Sequence, residues 1–90
     1  MLIKKIHYTT DFLKALKRID PSFVPRIHKM EMFFRSNPLH SSLRLHQLKG
    51  KLKGAWSVSV TGSMRIIFKR KDNGEIIFVS IGHHEIYRSV

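Results

Sequence analysis

Ninety residues provide the interior of one domain and too little for a second. With no cysteine, neither a disulfide framework nor a zinc–thiolate site is available, and no apolar run approaches the roughly 20 residues that a bilayer-spanning helix needs. Seventeen Lys and Arg against six Asp and Glu give a formal charge of +11. A charge of that size points to a polyanionic partner: nucleic acid, an acidic protein segment or anionic lipid. A soluble domain that is merely basic is the plain alternative. Nothing at the N-terminus reads as a signal peptide, so the expected compartment is the cytoplasm, with no membrane partner.

The chain opens on LIKKIHY (residues 2–8), a loosely alternating run that predicts a first strand. Thr9, Thr10 and Asp11 follow, all good helix N-cap types. Phe12, Leu13, Leu16 and Ile19 then recur at helical spacing with lysines between them, giving a helix with one apolar face. Asp20-Pro21-Ser22 breaks that pattern, and a proline in the first turn of a second helix is compatible with its geometry. Val24, Ile27, Met30 and Phe34 carry this helix, with Phe33 alongside, until Ser36-Asn37-Pro38 stops it. The two helices are expected to form an antiparallel hairpin.

After Pro38 the period changes to two. LRLHQL (43–48), WSVSV (56–60), MRIIFKR (64–70) and EIIFVSI (75–81) predict three or four strands, the last two joined by a turn carrying Asn73-Gly74. A strand, two helices and then a run of strands argue for an α+β fold, with both helices on one face of a mainly antiparallel sheet. The core is expected to contain Phe12, Leu16, Ile27, Phe34, Val58, Ile66 and Phe78, each on the apolar phase of its element.

Three features could carry chemistry. Lys49-Gly50-Lys51-Leu52-Lys53-Gly54 lacks the terminal Lys-Ser/Thr of a P-loop, which removes nucleotide triphosphates from consideration. It could hold a phosphodiester backbone or be a solvated hairpin loop. Arg65 lies within MRIIF among core-forming residues, so its guanidinium needs a partner, either an internal Glu or a bound phosphate. Of the six histidines, His46 precedes the lysine loop, and His83 and His84 end the last strand. Neighbours on a strand point to opposite faces, which argues against a shared metal on His83 and His84. Cleaving RNA without metal requires proton transfer at the 2′-oxygen and the 5′-oxygen, and cations for the charge on phosphorus. Histidine, tyrosine, arginine and lysine are suited to those tasks.

Taken together, LHQLKGKLKGAWSVSVTGSMRIIFK and IIFVSIGHHEIYR resemble the RelE/ParE toxin superfamily of type II toxin–antitoxin systems, in particular its RelE/StbE and YafQ-like branch. The resemblance covers nearly the whole chain, so residues 1–90 read as one RelE-like toxin domain, similar in fold to microbial ribonucleases. It implies a ribosome-dependent mRNA endoribonuclease that works by metal-free acid–base cleavage, with no cofactor. It also implies an acidic cognate antitoxin, with operator DNA reached only through the antitoxin complex.

Residue by residue, His46 matches the histidine that YafQ-like toxins place before their Leu-x-Gly. Arg65 matches the phosphate-facing arginine of the Arg-Ile/Leu-x-Phe/Tyr strand. His84 matches the histidine of the C-terminal Gly-Thr-His, and Tyr87 the aromatic that follows it. These four are the expected catalytic residues, with Lys49, Lys51 and Lys53 binding RNA. The chain departs from the branch at Ser59 and Ser63, where YafQ-like toxins carry a histidine and an aspartate, and at Ser57 and Ser59, where RelE has lysines. Two other readings are a ParE-like, gyrase-inhibiting binder and a catalytically degenerate, antitoxin-binding relative. The retained His84 and Tyr87 argue against the first; the replaced positions keep the second open.

Overall fold

Two side-chain caps organise the helical half of the chain, which is seen here in a computed structural model that describes residues 2–83. Thr9 Oγ1 accepts the Phe12 backbone N–H at 3.0 Å and donates to the Val79 carbonyl at 3.1 Å, so one hydroxyl starts α1 (Thr10–Arg18) and ties it to the sheet. Asp20 Oδ1 accepts the Ser22 N–H at 2.9 Å and opens a 3₁₀ turn, Pro21–Phe23, that leads directly into α2 (Val24–Ser36). These hydrogen bonds from Ser22 hold the Asp20 carboxyl below the ordinary range. The second helix ends where Asn37 and Pro38 cannot continue it.

The strands are β1 (Lys5–Tyr8), β2 (His46–Gln47), β3 (Ala55–Ser59), β4 (Arg65–Arg70) and β5 (Glu75–Gly82). They form one sheet in the order β1-β5-β4-β3-β2, parallel at β1–β5 and antiparallel elsewhere. The fold is therefore α+β, as the element order implies. Asn73 and Gly74 both take positive φ in the β4–β5 turn. Gly74 is needed for a second reason: the segment leading into β1 approaches so closely that a Cβ there would lie 2.6 Å from the Leu2 carbonyl oxygen. On the outer face, His7 Nε2 meets Glu75 Oε1 at 2.6 Å, adding a side-chain tie between β1 and β5. That hydrogen bond holds the Glu75 carboxyl below its usual value.

Both helices contribute to one core against one sheet face: Phe12, Ile27, Met30 and Phe34 meet Ile6, Val58, Ile66, Phe68, Ile76 and Phe78. Phe34 is fully buried, with ring centroids 5.2 Å from Phe68 and 6.2 Å from Phe78. Phe34→Ala is expected to cost about 3–5 kcal/mol, because a site packed by two other rings cannot collapse around the missing volume. The shift in urea midpoint measures it. Six of the seven expected core residues are buried, and Leu16 packs against the core while only half-buried.

One strand is much shorter than its sequence suggests. LRLHQL narrows to His46–Gln47, because His40 Nδ1 accepts the Ser42 N–H and starts a 3₁₀ turn over Ser41–Leu43. Arg44 then takes a left-handed conformation (φ 47°), which no strand accommodates. Among the described residues, no helix is long and apolar enough to cross a membrane.

Candidate functional site

The phase of WSVSV decides which residues can form a site. Trp56, Val58 and Val60 pack against the core, so Ser57 and Ser59 project from the face away from the helices. The register then aligns His46, Ser57, Ile67 and Ser80 in one row and Ser59, Arg65 and Gly82 in the next. His46 and Arg65, 19 positions apart in sequence, thus share one face of the sheet.

This face is partly enclosed. Ser57 is fully buried, Ile67 is 1% exposed and Ser59 7% exposed, and Leu48 packs over Ala55 and Ile67 as a second, smaller core. Within it, the Ser59 hydroxyl and the Arg65 Nη1 are buried and have no hydrogen-bond partner among the described residues. Their residues are direct cross-strand partners. Among the described residues no carboxylate forms an ion pair with Arg65: Glu31 meets Arg35, and Glu75 meets His7. Leaving two such groups unsatisfied costs about 1–3 kcal/mol each. They are two buried hydrogen-bonding groups on directly paired residues of β3 and β4.

His46 is exposed and its Nδ1 lies 3.3 Å from the Arg44 carbonyl oxygen. A carbonyl can only accept, so the neutral ring carries its proton on Nδ1 and leaves Nε2 as an acceptor. The ring is thus held in the tautomer of a base. Lys49, Lys51 and Lys53 are exposed on the β2–β3 connection, around a 3₁₀ turn at Gly50–Leu52. A shallow cavity of about 260 Å³ lies there, lined by Gln47, Leu48, Lys49, Gly50 and Lys53. At the far end of β5 a cleft of about 390 Å³ is bordered by Arg18, Asp20, Phe23, Met64, Ser80 and His83. His84 and Tyr87 lie outside the described residues. Among the described residues no three His, Asp or Glu side chains gather as metal ligands.

The family model described as a bacterial toxin of type II toxin–antitoxin system, YafQ, matches residues 4–88. The chain belongs to the YafQ toxin family. The fold of this YafQ-family toxin is similar to that of YafQ from E. coli, at 22% identity over 91% of this chain and 94% of that one, with a TM-score of 0.73. It is similar too to the toxin–antitoxin complex RelBE2 from Mycobacterium tuberculosis, at 16% identity over 92% and 100%, with a TM-score of 0.75. The E. coli DinJ–YafQ toxin–antitoxin complex matches at 20% identity over 96% and 97%, with a TM-score of 0.71. No curated protein sequence matches the chain.

In the sequence alone Ser59 stands out only as a replaced family position, with no role of its own. Its phase in WSVSV was legible, and that phase already placed it opposite Val58. Its pairing with Arg65 was not, since register is a property of the assembled sheet.

Proposed function

We propose that this YafQ-family toxin is a ribosome-dependent mRNA endoribonuclease that cuts by attack of a 2′-OH on the adjacent phosphate. The observation that carries the reading is the buried Ser59–Arg65 pair, with no partner among the described residues, on a strongly basic protein. A phosphate there would satisfy both groups, and the guanidinium would meet the charge that grows on the phosphoryl oxygens in the transition state. Attack of the 2′-oxygen forms a new P–O bond and breaks the bond to the 5′-oxygen, leaving a 2′,3′-cyclic phosphate and a 5′-hydroxyl. His84 is the general acid that protonates the leaving 5′-oxygen, and His46 or Tyr87 takes the 2′-proton. Residues from β2 through the C-terminal segment divide these tasks, with no cofactor. The partners are ribosome-bound mRNA and an acidic cognate antitoxin, a pairing that the complexes of structurally similar toxins support. Operator DNA is reached only through that complex, and the cytoplasm is the site of action.

Lys49, Lys51 and Lys53 hold RNA backbone in this reading. Replacing all three with Gln should weaken ribosome binding and lower the slope of log affinity against log salt by about 2–3, since each phosphate contact contributes about 0.7–0.9. The position of cleavage should not change. A wild-type salt slope in the triple variant would remove the loop from the contact surface.

Primer extension on translated mRNA after induction tests the function itself. New 3′ ends within open reading frames are expected. Growth arrest without them would favour a gyrase-directed binder, and neither effect would favour a degenerate, antitoxin-binding relative.

A further inference from the structure

The bend that cuts β2 short also acts on His46. Leu43 is buried in the core and Leu45 packs against the same cluster, so the chain is anchored on both sides of Arg44. The Arg44 N–H donates to the Ser41 carbonyl at 3.1 Å and closes the 3₁₀ turn. Two residues on, His46 and Gln47 pair with Ser57 and Trp56 of β3. Between these fixed points Arg44 takes φ 47° and ψ 44°, a left-handed conformation uncommon for any residue but glycine. Asn73, the other non-glycine residue with positive φ among those described, occupies a strand-to-strand turn that favours asparagine. Nothing comparable favours arginine at position 44.

The angle ψ sets the direction in which a residue's carbonyl points. At a strand value near +135° the Arg44 carbonyl would swing away by roughly 90°. At 44° its oxygen lies 3.3 Å from His46 Nδ1 and accepts that N–H. Nε2 then keeps its lone pair, as a general base requires. The Arg44 side chain is exposed and takes no part in this contact; the backbone makes it.

We propose that Arg44 is a positioning residue: its left-handed backbone fixes the tautomer of His46 and makes His46 the base that takes the 2′-proton. The inference rests on the RNA-cleaving reading above, and it selects His46 over Tyr87 for that step. His46 Nε2 accepts the proton as the 2′-oxygen bonds to phosphorus, and the 5′-oxygen leaves with a proton from His84. The first ring ends protonated and the second deprotonated.

Two substitutions separate the backbone from the side chain. Arg44→Asn and Arg44→Val both remove the guanidinium, but asparagine tolerates the left-handed region and β-branched valine does not. Long-range proton–nitrogen NMR on histidine-labelled protein, at alkaline pH where the rings are neutral, reports which nitrogen carries the proton. His46→Gln identifies the His46 signals by their loss. Wild type and Arg44→Asn should show His46 protonated at Nδ1, and Arg44→Val should move the population toward Nε2–H. For cleavage of ribosome-bound mRNA, Arg44→Val should lower kcat about tenfold relative to Arg44→Asn, with the same KM. That is less than the roughly 10²–10⁴-fold loss of a missing base, because the freed ring still samples the productive tautomer. Circular dichroism checks folding; Arg44 is exposed, so its replacement removes little packing.

A wild-type His46 protonated at Nε2 overturns the proposal, and that measurement needs no variant to fold. An Arg44→Val protein with the wild-type tautomer and rate overturns it too. Equal losses in Arg44→Asn and Arg44→Val assign the effect to the missing charge, again against the proposal. If the ring changes tautomer in Arg44→Val while cleavage is unchanged, His46 is not the base. A wild type whose ring responds as expected but that cuts no mRNA would sink the proposed reaction and leave the hold of Arg44 on the ring standing.

Discussion

His84→Gln should slow cleavage of ribosome-bound mRNA by about 10²–10⁴-fold, the usual contribution of a positioned general acid or base, and so abolish growth inhibition. Glutamine roughly preserves size and still forms hydrogen bonds, but it cannot carry a proton between oxygens. The substitution therefore separates acid–base chemistry from packing, and unchanged circular dichroism and antitoxin binding would confirm that separation. Tyr87→Phe provides the comparison. It should lose less if the hydroxyl only orients a neighbour, and about as much if that hydroxyl transfers the proton. A fully active His84→Gln would show that the leaving oxygen departs without help from this ring.

Arg65→Ala should lower the cleavage rate by about 10²–10³-fold, comparable to removing one donor from an oxyanion site. Arg65→Lys should recover only part of that loss, because an ammonium is a point charge that cannot make two parallel hydrogen bonds to a phosphate. Stability separates function from structure here. A guanidinium nitrogen buried with no partner among the described residues costs stability rather than adding it, so Arg65→Ala should leave stability unchanged or raise it by about 1–3 kcal/mol. A drop of several kcal/mol in urea denaturation, together with wild-type cleavage by the folded fraction, would assign Arg65 to the fold instead. If Arg65→Ala is inactive while His84→Gln keeps cutting, charge stabilisation at phosphorus carries the reaction.

The sheet and helices were legible because their signals are local. Thr9 before an apolar helical stripe, Pro38 after one, and Asn73-Gly74 between two β-rich runs each act within a few residues. Strand limits were harder to read where two local signals compete: the alternation in LRLHQL favours a strand, but the His40 cap and the left-handed Arg44 win over most of it. The single parallel pair, β1 with β5, could not be read either, since it joins residues about 70 apart that carry no shared pattern.

The site shows the same division. That His46, Ser57 and Ser59 belong to alternating strands was visible, and so was the need of Arg65 for a partner. What the sequence could not supply was the register that sets Ser59 against Arg65, or the burial that leaves both groups unsatisfied.

The central claim is that this chain cuts RNA by 2′-oxygen attack, and the ends of its products test that most directly. Purified protein is incubated with ribosomes stalled on a defined mRNA, and the new termini are identified by mass spectrometry. A 2′,3′-cyclic phosphate on the upstream fragment and a 5′-hydroxyl on the downstream one are expected, absent when the attacking 2′-hydroxyl is replaced by hydrogen. Intact mRNA under conditions in which the protein arrests growth, or a 5′-phosphate on the downstream fragment, would contradict it.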